Sequence, residues 1–319
     1  MILALVTHDR GSVEETSFQA LTFARGLTTD LETSLEAVVI GDGVDAASLG
    51  LEVVHQISHV GLDDYSPSAW GSALAQLVDS LAPDVVVGIG SERGNEVMAH
   101  VGAITGLPMV ANVRSADPVD GPWALTRTRW GGSLLEEATL DASIKLLTVA
   151  EHAVEAVRDE PRETRVHTFT PDLDEADLVT KVVDREVTAE GITLATAPVV
   201  VSGGRGVGSP EGFAPLEELA ELLGGVVGCS RVVTNNGWRP HSDQVGQTGT
   251  VVAPDVYIAC GISGAIQHWV GMMAAKTIIA INIDGEAPMV TKADYAVLGD
   301  LKEVVPAIVD EIVRRRGGG

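Results

Sequence analysis

Apolar residues in this chain come in two rhythms, short unbroken runs and stripes at helical spacing, and the two alternate. Residues 2–6 (Ile-Leu-Ala-Leu-Val) form a run of the length of a buried strand. Residues 14–26 carry a helical stripe that stops at Gly26, and glycine is a common helix terminator. Residues 35–40 and 84–89 read as further strands, the second rich in valine. Residues 73–81 and 96–105 read as helices, the latter closed by Gly106. Strands alternating with helices pair in parallel through right-handed crossovers, so the expected fold class is α/β.

The texture changes between residues 117 and 150. Residues 124–130 and 133–138 alternate on either side of Gly131-Gly132, which predicts a hairpin with a glycine turn. Residues 144–149 are another strand. Residues 150–184 are acidic, carry Pro161 and Pro171, and read as an extended connection. The domain boundary is expected near 184–196, giving an N-terminal α/β domain over 1–190 and a second domain over 191–319. In the second domain, residues 198–201, 256–260, 276–282 and 293–298 read as strands. Residues 214–223, 265–273 and 301–315 read as helices, the last with Arg314, Arg315 and Arg316 at its negative dipole end.

The chain has 319 residues, enough for two cores, and 45% of them are hydrophobic. Its formal net charge of −24 repels phosphate backbones, so nucleic acid is not an expected partner. The two cysteines, Cys229 and Cys260, belong to no CxxC or Cys/His cluster, which leaves metal binding and a disulfide framework without support. The apolar start is cut short by His8-Asp9-Arg10 and has no basic lead, and no stretch approaches the ~20 apolar residues of a membrane helix. The expectation is a cytoplasmic protein without membrane insertion.

Four segments carry candidate chemistry. Gly261-Ile-Ser-Gly-Ala-Ile-Gln-His268 runs from a strand end into a helix start. Glycines let backbone approach a ligand closely, and free N–H groups at a helix start favour an anion. The same glycines also suit a plain tight turn, and a lone His268 fits a structural role as well. Ser202-Gly-Gly-Arg-Gly206 offers a cation that grips phosphate or a planar ring bidentately, or is simply a surface arginine. Gln244-Val-Gly-Gln-Thr-Gly249 is a polar, glycine-spaced loop, and Ser230-Arg231 follows Gly228-Cys229; alone, these are a solvated turn and a surface pair. No loop fits the Walker pattern and no GxGxxG opens the first helix of either domain, which disfavours a P-loop enzyme or a standard Rossmann dehydrogenase.

Taken in order, these segments resemble the C-terminal domain of electron transfer flavoprotein α subunits. The likeness continues through Ile279-Ala-Ile-Asn282, Glu286-Ala-Pro288, Ala293-Asp-Tyr295 and Gly299-Asp-Leu301, and covers essentially all of residues 197–312. The N-terminal half resembles the family more loosely, in its α/β order and late hairpin. The resemblance implies two parallel-sheet α/β domains, the C-terminal one Rossmann-like and FAD-binding. It implies cofactor contacts from Arg205 and Ser230, with Arg231 against the isoalloxazine ring. Val245, Gly246, Gln247 and Thr248 would wrap the flavin, with Thr248 near N5. Ser263, Gly264, Ala265, Ile266, Gln267 and His268 would hold the pyrophosphate and, through His268, the flavin C2 carbonyl. Asn282, Asp300 and Leu301 would hold the adenosine end. The family pattern further implies a heterodimer with a β subunit and electron traffic from flavoprotein dehydrogenases, such as acyl-CoA dehydrogenases, to an acceptor such as a membrane quinone oxidoreductase, with no substrate turned over by the chain itself. The alternative is a nucleotide- or NAD-dependent α/β enzyme, whose acid–base residues are not identifiable. Two departures stand out: Thr148-Val-Ala-Glu-His152 replaces a basic segment, and Trp130-Gly-Gly132 replaces a tyrosine-type residue with one glycine. Glu151 and Trp130 therefore bear on partner contacts rather than on the cofactor.

Overall fold

The computed structural model describes residues 1–119, 121–180, 182 and 192–317. The chain divides into two compact units, Met1–Trp130 with Leu134–Val187, and Gly131–Ser133 with Thr188–Gly319. The boundary expected at 184–196 lies largely outside the described residues.

The first unit contains β1 (Ile2–Val6), β2 (His8–Asp9), β3 (Ser12–Val13), α1 (Glu15–Leu31), β4 (Leu35–Ile40), β5 (Val53–Ile57), α2 (Pro67–Leu81), β6 (Val85–Ile89) and α3 (Glu92–Thr105). It continues with β7 (Met109–Asp117), β8 (Trp123–Arg129), β9 (Leu134–Leu140), β10 (Lys145–Val149) and β11 (Arg165–Phe169). Among the described residues, one sheet runs β11-β5-β4-β1-β6-β10-β7-β8-β9. Pairing is parallel except at β7-β8-β9, where two antiparallel ladders form the predicted hairpin. Helix α1 covers one face through Phe18, Leu21, Ala24 and Leu27. Helices α2 and α3 cover the other through Trp70, Leu74, Val97 and Val101. Burial of each such side chain contributes ~1.5–3 kcal/mol, and burial on both faces is why β1 and β6 are uninterrupted apolar runs.

The second unit contains β12 (Val199–Gly203), α4 (Ala214–Leu222), β13 (Val226–Cys229), α5 (Arg231–Asn235), β14 (Val256–Cys260), α6 (Ile266–Trp269), β15 (Thr277–Asn282), α7 (Pro288–Lys292), β16 (Tyr295–Leu298) and α8 (Leu301–Gly317). Its sheet runs β13-β12-β14-β15-β16 and is parallel throughout. Leu216 and Leu219 of α4 and Val305 and Val309 of α8 bury one face. Val200, Tyr257, Met272 and Met289 fill the other. The chain leaves β12 to one side, to β13, and returns on the other side, to β14. Such a reversal opens a crevice at the carboxyl ends of the strands, the usual place for a ligand in an open α/β sheet.

Several boundaries differ from the sequence reading, each for a physical reason. Helix α1 passes through Gly26, which faces open space, and ends at Glu32 in the left-handed region with its N–H on the Thr28 carbonyl. Helix α2 starts at Pro67 rather than at residue 73, because proline at the first helical position lacks only an N–H the helix would leave unpaired. Strand β11 lies inside the expected extended connection; it is a sheet-edge strand with little burial, so its sequence carries no apolar run. Strands β5, β7 and β13 also add to the predicted set. Helix α6 is one turn, not the nine-residue helix expected over 265–273. Gly271 packs backbone to backbone on Gly246, where a Cβ would approach Gly246 Cα to 2.3 Å, and hydrogen bonds there tighten to Gly271 N–H onto His268 and Met272 N–H onto Trp269.

Candidate functional site: a cleft at the strand ends of the second unit

The crevice predicted by the strand order is present. A cavity of about 590 Å³ lies at the carboxyl ends of β12, β14, β15 and β16 and is lined by the segments that follow them. Its size falls within the ~300–1,000 Å³ of small-molecule and cofactor sites.

Two glycine turns form its floor. A Cβ on Gly204 would stand 2.3 Å from the Gly261 carbonyl oxygen, and one on Gly261 (φ +63°) would stand 2.8 Å from Gly206 Cα. These glycines therefore let the loop after β12 pack directly on the loop after β14. Gly206 N–H donates to the Gly261 carbonyl and Gly204 N–H to that of Cys260, 3.1 and 2.9 Å. Asn282 at the end of β15 braces the second loop from outside, its Nδ2 donating to the Ile262 carbonyl at 3.0 Å. Gly264 (φ +81°) packs against α7, where a Cβ would approach Met289 N to 2.3 Å. Ser263-Gly264 thus precedes the helix start at Ile266 instead of forming it.

The loop 244–250 is held by long-range backbone bonds, Val245 N–H to Cys229 and Gln247 N–H to Gln267. Its side-chain anchor is Gln244, whose Nε2 donates to Thr248 Oγ1 at 3.0 Å while its Oε1 accepts from the Thr234 hydroxyl at 2.7 Å. Val245 and Gly246 are buried and Gln247 and Thr248 exposed.

Several polar groups in this region lack a protein partner. Ser230 Oγ and His268 Nδ1 are buried without a hydrogen bond. Among the described residues, the backbone N–H groups of Ser263, Gly264 and Ala265 also donate to no protein acceptor. Buried polar atoms of native proteins are nearly all paired, so unpaired ones around a cavity fit a bound polar molecule. Burial pushes His268 down to about 4, with the Val245 backbone carbonyl pulling weakly the other way, so the ring is neutral at physiological pH. Arg205 and Lys302, both exposed and lining the cleft, make no ion pair among the described residues.

Of the residues named by the resemblance, Arg205, Ser230, Ser263, Ala265, His268, Asn282, Asp300 and Leu301 line this cleft. Arg231, Val245, Gly246, Gln247, Thr248, Gly264, Ile266 and Gln267 stand on the adjoining loops, outside its lining. Arg231 opens α5 and is exposed. Asp300 also caps α8, its Oδ1 accepting from Lys302 N–H at 2.9 Å. Gly206 and Lys302 line the cleft without having been singled out in the sequence. Lys302 had a signal: it is a cation in the first turn of a helix, where the macrodipole disfavours positive charge.

A family model described as the electron transfer flavoprotein FAD-binding domain matches residues 193–273, and one described as the electron transfer flavoprotein domain matches residues 2–174. The chain belongs to the electron transfer flavoprotein α-subunit family. It is 36% identical to the electron transfer flavoprotein subunit alpha of Thermoanaerobacterium thermosaccharolyticum, over 95% of this chain and 94% of that one. It is 36% identical to the subunit of that name from Mycobacterium leprae over 99% of each chain, and 35% identical to protein FixB of Bradyrhizobium diazoefficiens over 96% of this chain and 87% of that one. The cofactor of this family's domain is FAD, and the chemistry of the cleft fits it: there are unpaired donors, and two cations without an ion pair among the described residues suit a diphosphate. The two-domain α/β architecture is the one the family implies. Among the described residues, no helix is long and apolar enough to cross a membrane, and no group of three or more His, Cys, Asp or Glu is placed to hold a metal ion.

Proposed function

We propose that this chain holds one FAD in the cleft after β12, β14, β15 and β16, and that with a β subunit it carries electrons from flavoprotein dehydrogenases, such as acyl-CoA dehydrogenases, to an acceptor such as a membrane quinone oxidoreductase. The observation that carries the reading is the gathering of Arg205, Ser230, Ser263, His268, Asn282 and Asp300 around one cavity at the point where the strand order reverses. Bound FAD supplies the redox chemistry, and the chain supplies position and field. Arg205, Lys302 and the N–H groups of Ser263, Gly264 and Ala265 bind the pyrophosphate by charge-assisted hydrogen bonds. Asn282, Asp300 and Leu301 take the adenosine end. Ser230, Arg231, Val245, Gly246, Gln247, Thr248, Ile266 and Gln267 take the flavin side, and His268 the C2 carbonyl. A carrier of this kind needs no nucleophile and no general base, and its chain turns over no substrate.

The β subunit is supported by β9, which ends the sheet of the first unit and exposes Leu134 and Leu135 by 54% and 67%. A sheet edge with apolar side chains invites pairing or cover. The test is to mix the complex of this chain and its β subunit with an acyl-CoA dehydrogenase reduced by its own substrate. Bleaching of the complex's flavin absorbance is expected; an unchanged spectrum with this donor and with the other flavoprotein dehydrogenases of the same cell would overturn the carrier role.

A further inference from the structure

Tyr257 lies on β14 and is fully buried, and its hydroxyl stands 2.9 Å from His268 Nε2. The buried Ser202 hydroxyl, which has no other partner, is the second polar group acting on this phenol. His268 is buried as well, and its other ring nitrogen, Nδ1, has no partner. A neutral imidazole carries one proton, and the hydrogen bond made by one nitrogen decides where it sits. If Nε2 held the proton, it would donate to the Tyr257 oxygen, the phenolic O–H would have to turn to Ser202 Oγ, and Nδ1 would be left as a buried bare lone pair. If Nδ1 holds it, Tyr257 O–H donates to bare Nε2, the Ser202 hydroxyl is free to donate to the phenol oxygen, and Nδ1–H is left for an acceptor that enters the cleft. Burial holds the phenol protonated, far above its ordinary titration range, so the O–H is always there to donate.

We propose that Tyr257 is a positioning residue that locks His268 in the Nδ1–H tautomer, so that a neutral ring presents a hydrogen-bond donor to an acceptor oxygen in the cleft. This rests on the reading that His268 faces the flavin C2 carbonyl, and it adds how the ring is made a donor without being charged. A bare Nδ1 would turn a lone pair toward the carbonyl and repel it. With Tyr257 donating to Nε2, the Nδ1–H dipole meets negative charge that gathers on that oxygen on reduction, and it does so without taking up a proton.

The test uses the complex with its β subunit, loaded with FAD and labelled with ¹⁵N-histidine, in wild type and Tyr257→Phe. The phenylalanine keeps the packing and removes only the O–H. In the wild type, the His268 nitrogens should read as protonated Nδ1 and bare Nε2. In Tyr257→Phe the Nε2–H form should appear, and the first reduction potential should fall, whereas a merely structural tyrosine would lower stability and leave both readouts alone. A wild-type spectrum with the proton on Nε2 overturns the proposal even if the variant fails to fold. A variant with unchanged tautomer and potential overturns it too. Should the wild-type tautomer be Nδ1–H but insensitive to FAD removal, the Tyr257 lock stands and the contact with the flavin carbonyl falls.

Discussion

Gln244 and Thr248 are joined by a 3.0 Å hydrogen bond from the buried amide Nε2 to the exposed hydroxyl oxygen. Because the oxygen is used as acceptor, the Thr248 O–H points its own proton elsewhere. The other end of the amide holds the Thr234 hydroxyl at 2.7 Å, so one side chain ties the loop to α5. Gln244→Leu keeps the volume and removes both bonds. Losing two part-buried hydrogen bonds costs about 1–3 kcal/mol. The expected outcome is a lower Tm with partial loss of FAD. Gln244→Glu is the sharper variant, since it keeps the Thr234 contact and draws the Thr248 proton inward. If both variants match wild type in Tm and FAD content, the anchor is idle.

Gly264 is a packing residue. A Cβ there would press on the Met289 backbone, in a left-handed conformation that L side chains rarely adopt. Gly264→Ala should destabilise the second unit by about 1–3 kcal/mol, from overpacking and backbone strain. Denaturation monitored with excess FAD present checks this. Wild-type stability with reduced FAD occupancy would mean that the loop has room and the glycine serves the ligand alone.

Much of this arrangement was legible in the sequence, and the losses have causes. Strands β1, β6, β14 and β15 declared themselves because burial on both faces demands unbroken apolar runs. Strand β11, with Arg165 and His167 exposed, declared nothing, since its partner β5 is more than a hundred residues away. The length of α6 was misread because the contact that ends it, Gly246 on Gly271, is made by a separate loop. At the cleft, Asn282 and Ser263 came from the order of motifs, while Gly206 and Lys302 needed the strand ends side by side in space.

Lys302 gives a prediction in which stability and binding part company. It makes no ion pair among the described residues, and it stands in the first turn of α8. Lys302→Ala should leave the FAD-free protein as stable as wild type or slightly more so, because a cation leaves a positive helix end. FAD affinity should fall on the order of tenfold, the worth of one charge-assisted hydrogen bond. Thermal melts and flavin titration of the same preparation check both halves. Equal FAD affinity in the two proteins would remove Lys302 from the site.

Glu151, in the turn that follows β10, supplies a pH signature in the first unit. Burial chiefly, with Glu14 and Glu92 adding repulsion, raises its carboxyl to about 7. Between its unfolded value of ~4.5 and ~7 the folded state binds the proton and the unfolded state does not, so stability is lost as pH rises through this window and stays lower above it. Glu151→Gln should therefore stabilise the protein by on the order of 1–3 kcal/mol at about pH 8 and have little effect near pH 4.5. Urea melts of both proteins at the two pH values measure the difference. A gain that is equal at both would mean that charge is not the cause.

The central claim is that this chain binds FAD in its second unit. The most direct measurement is to co-express it with its β subunit, purify the complex, denature it and identify the released nucleotide, alongside an Arg205→Ala/His268→Ala variant. The account predicts FAD released from the wild-type complex, and a loss of one FAD per α subunit in the variant with the heterodimer intact. A wild-type complex that releases no FAD, or a variant that retains all of it, would contradict the account.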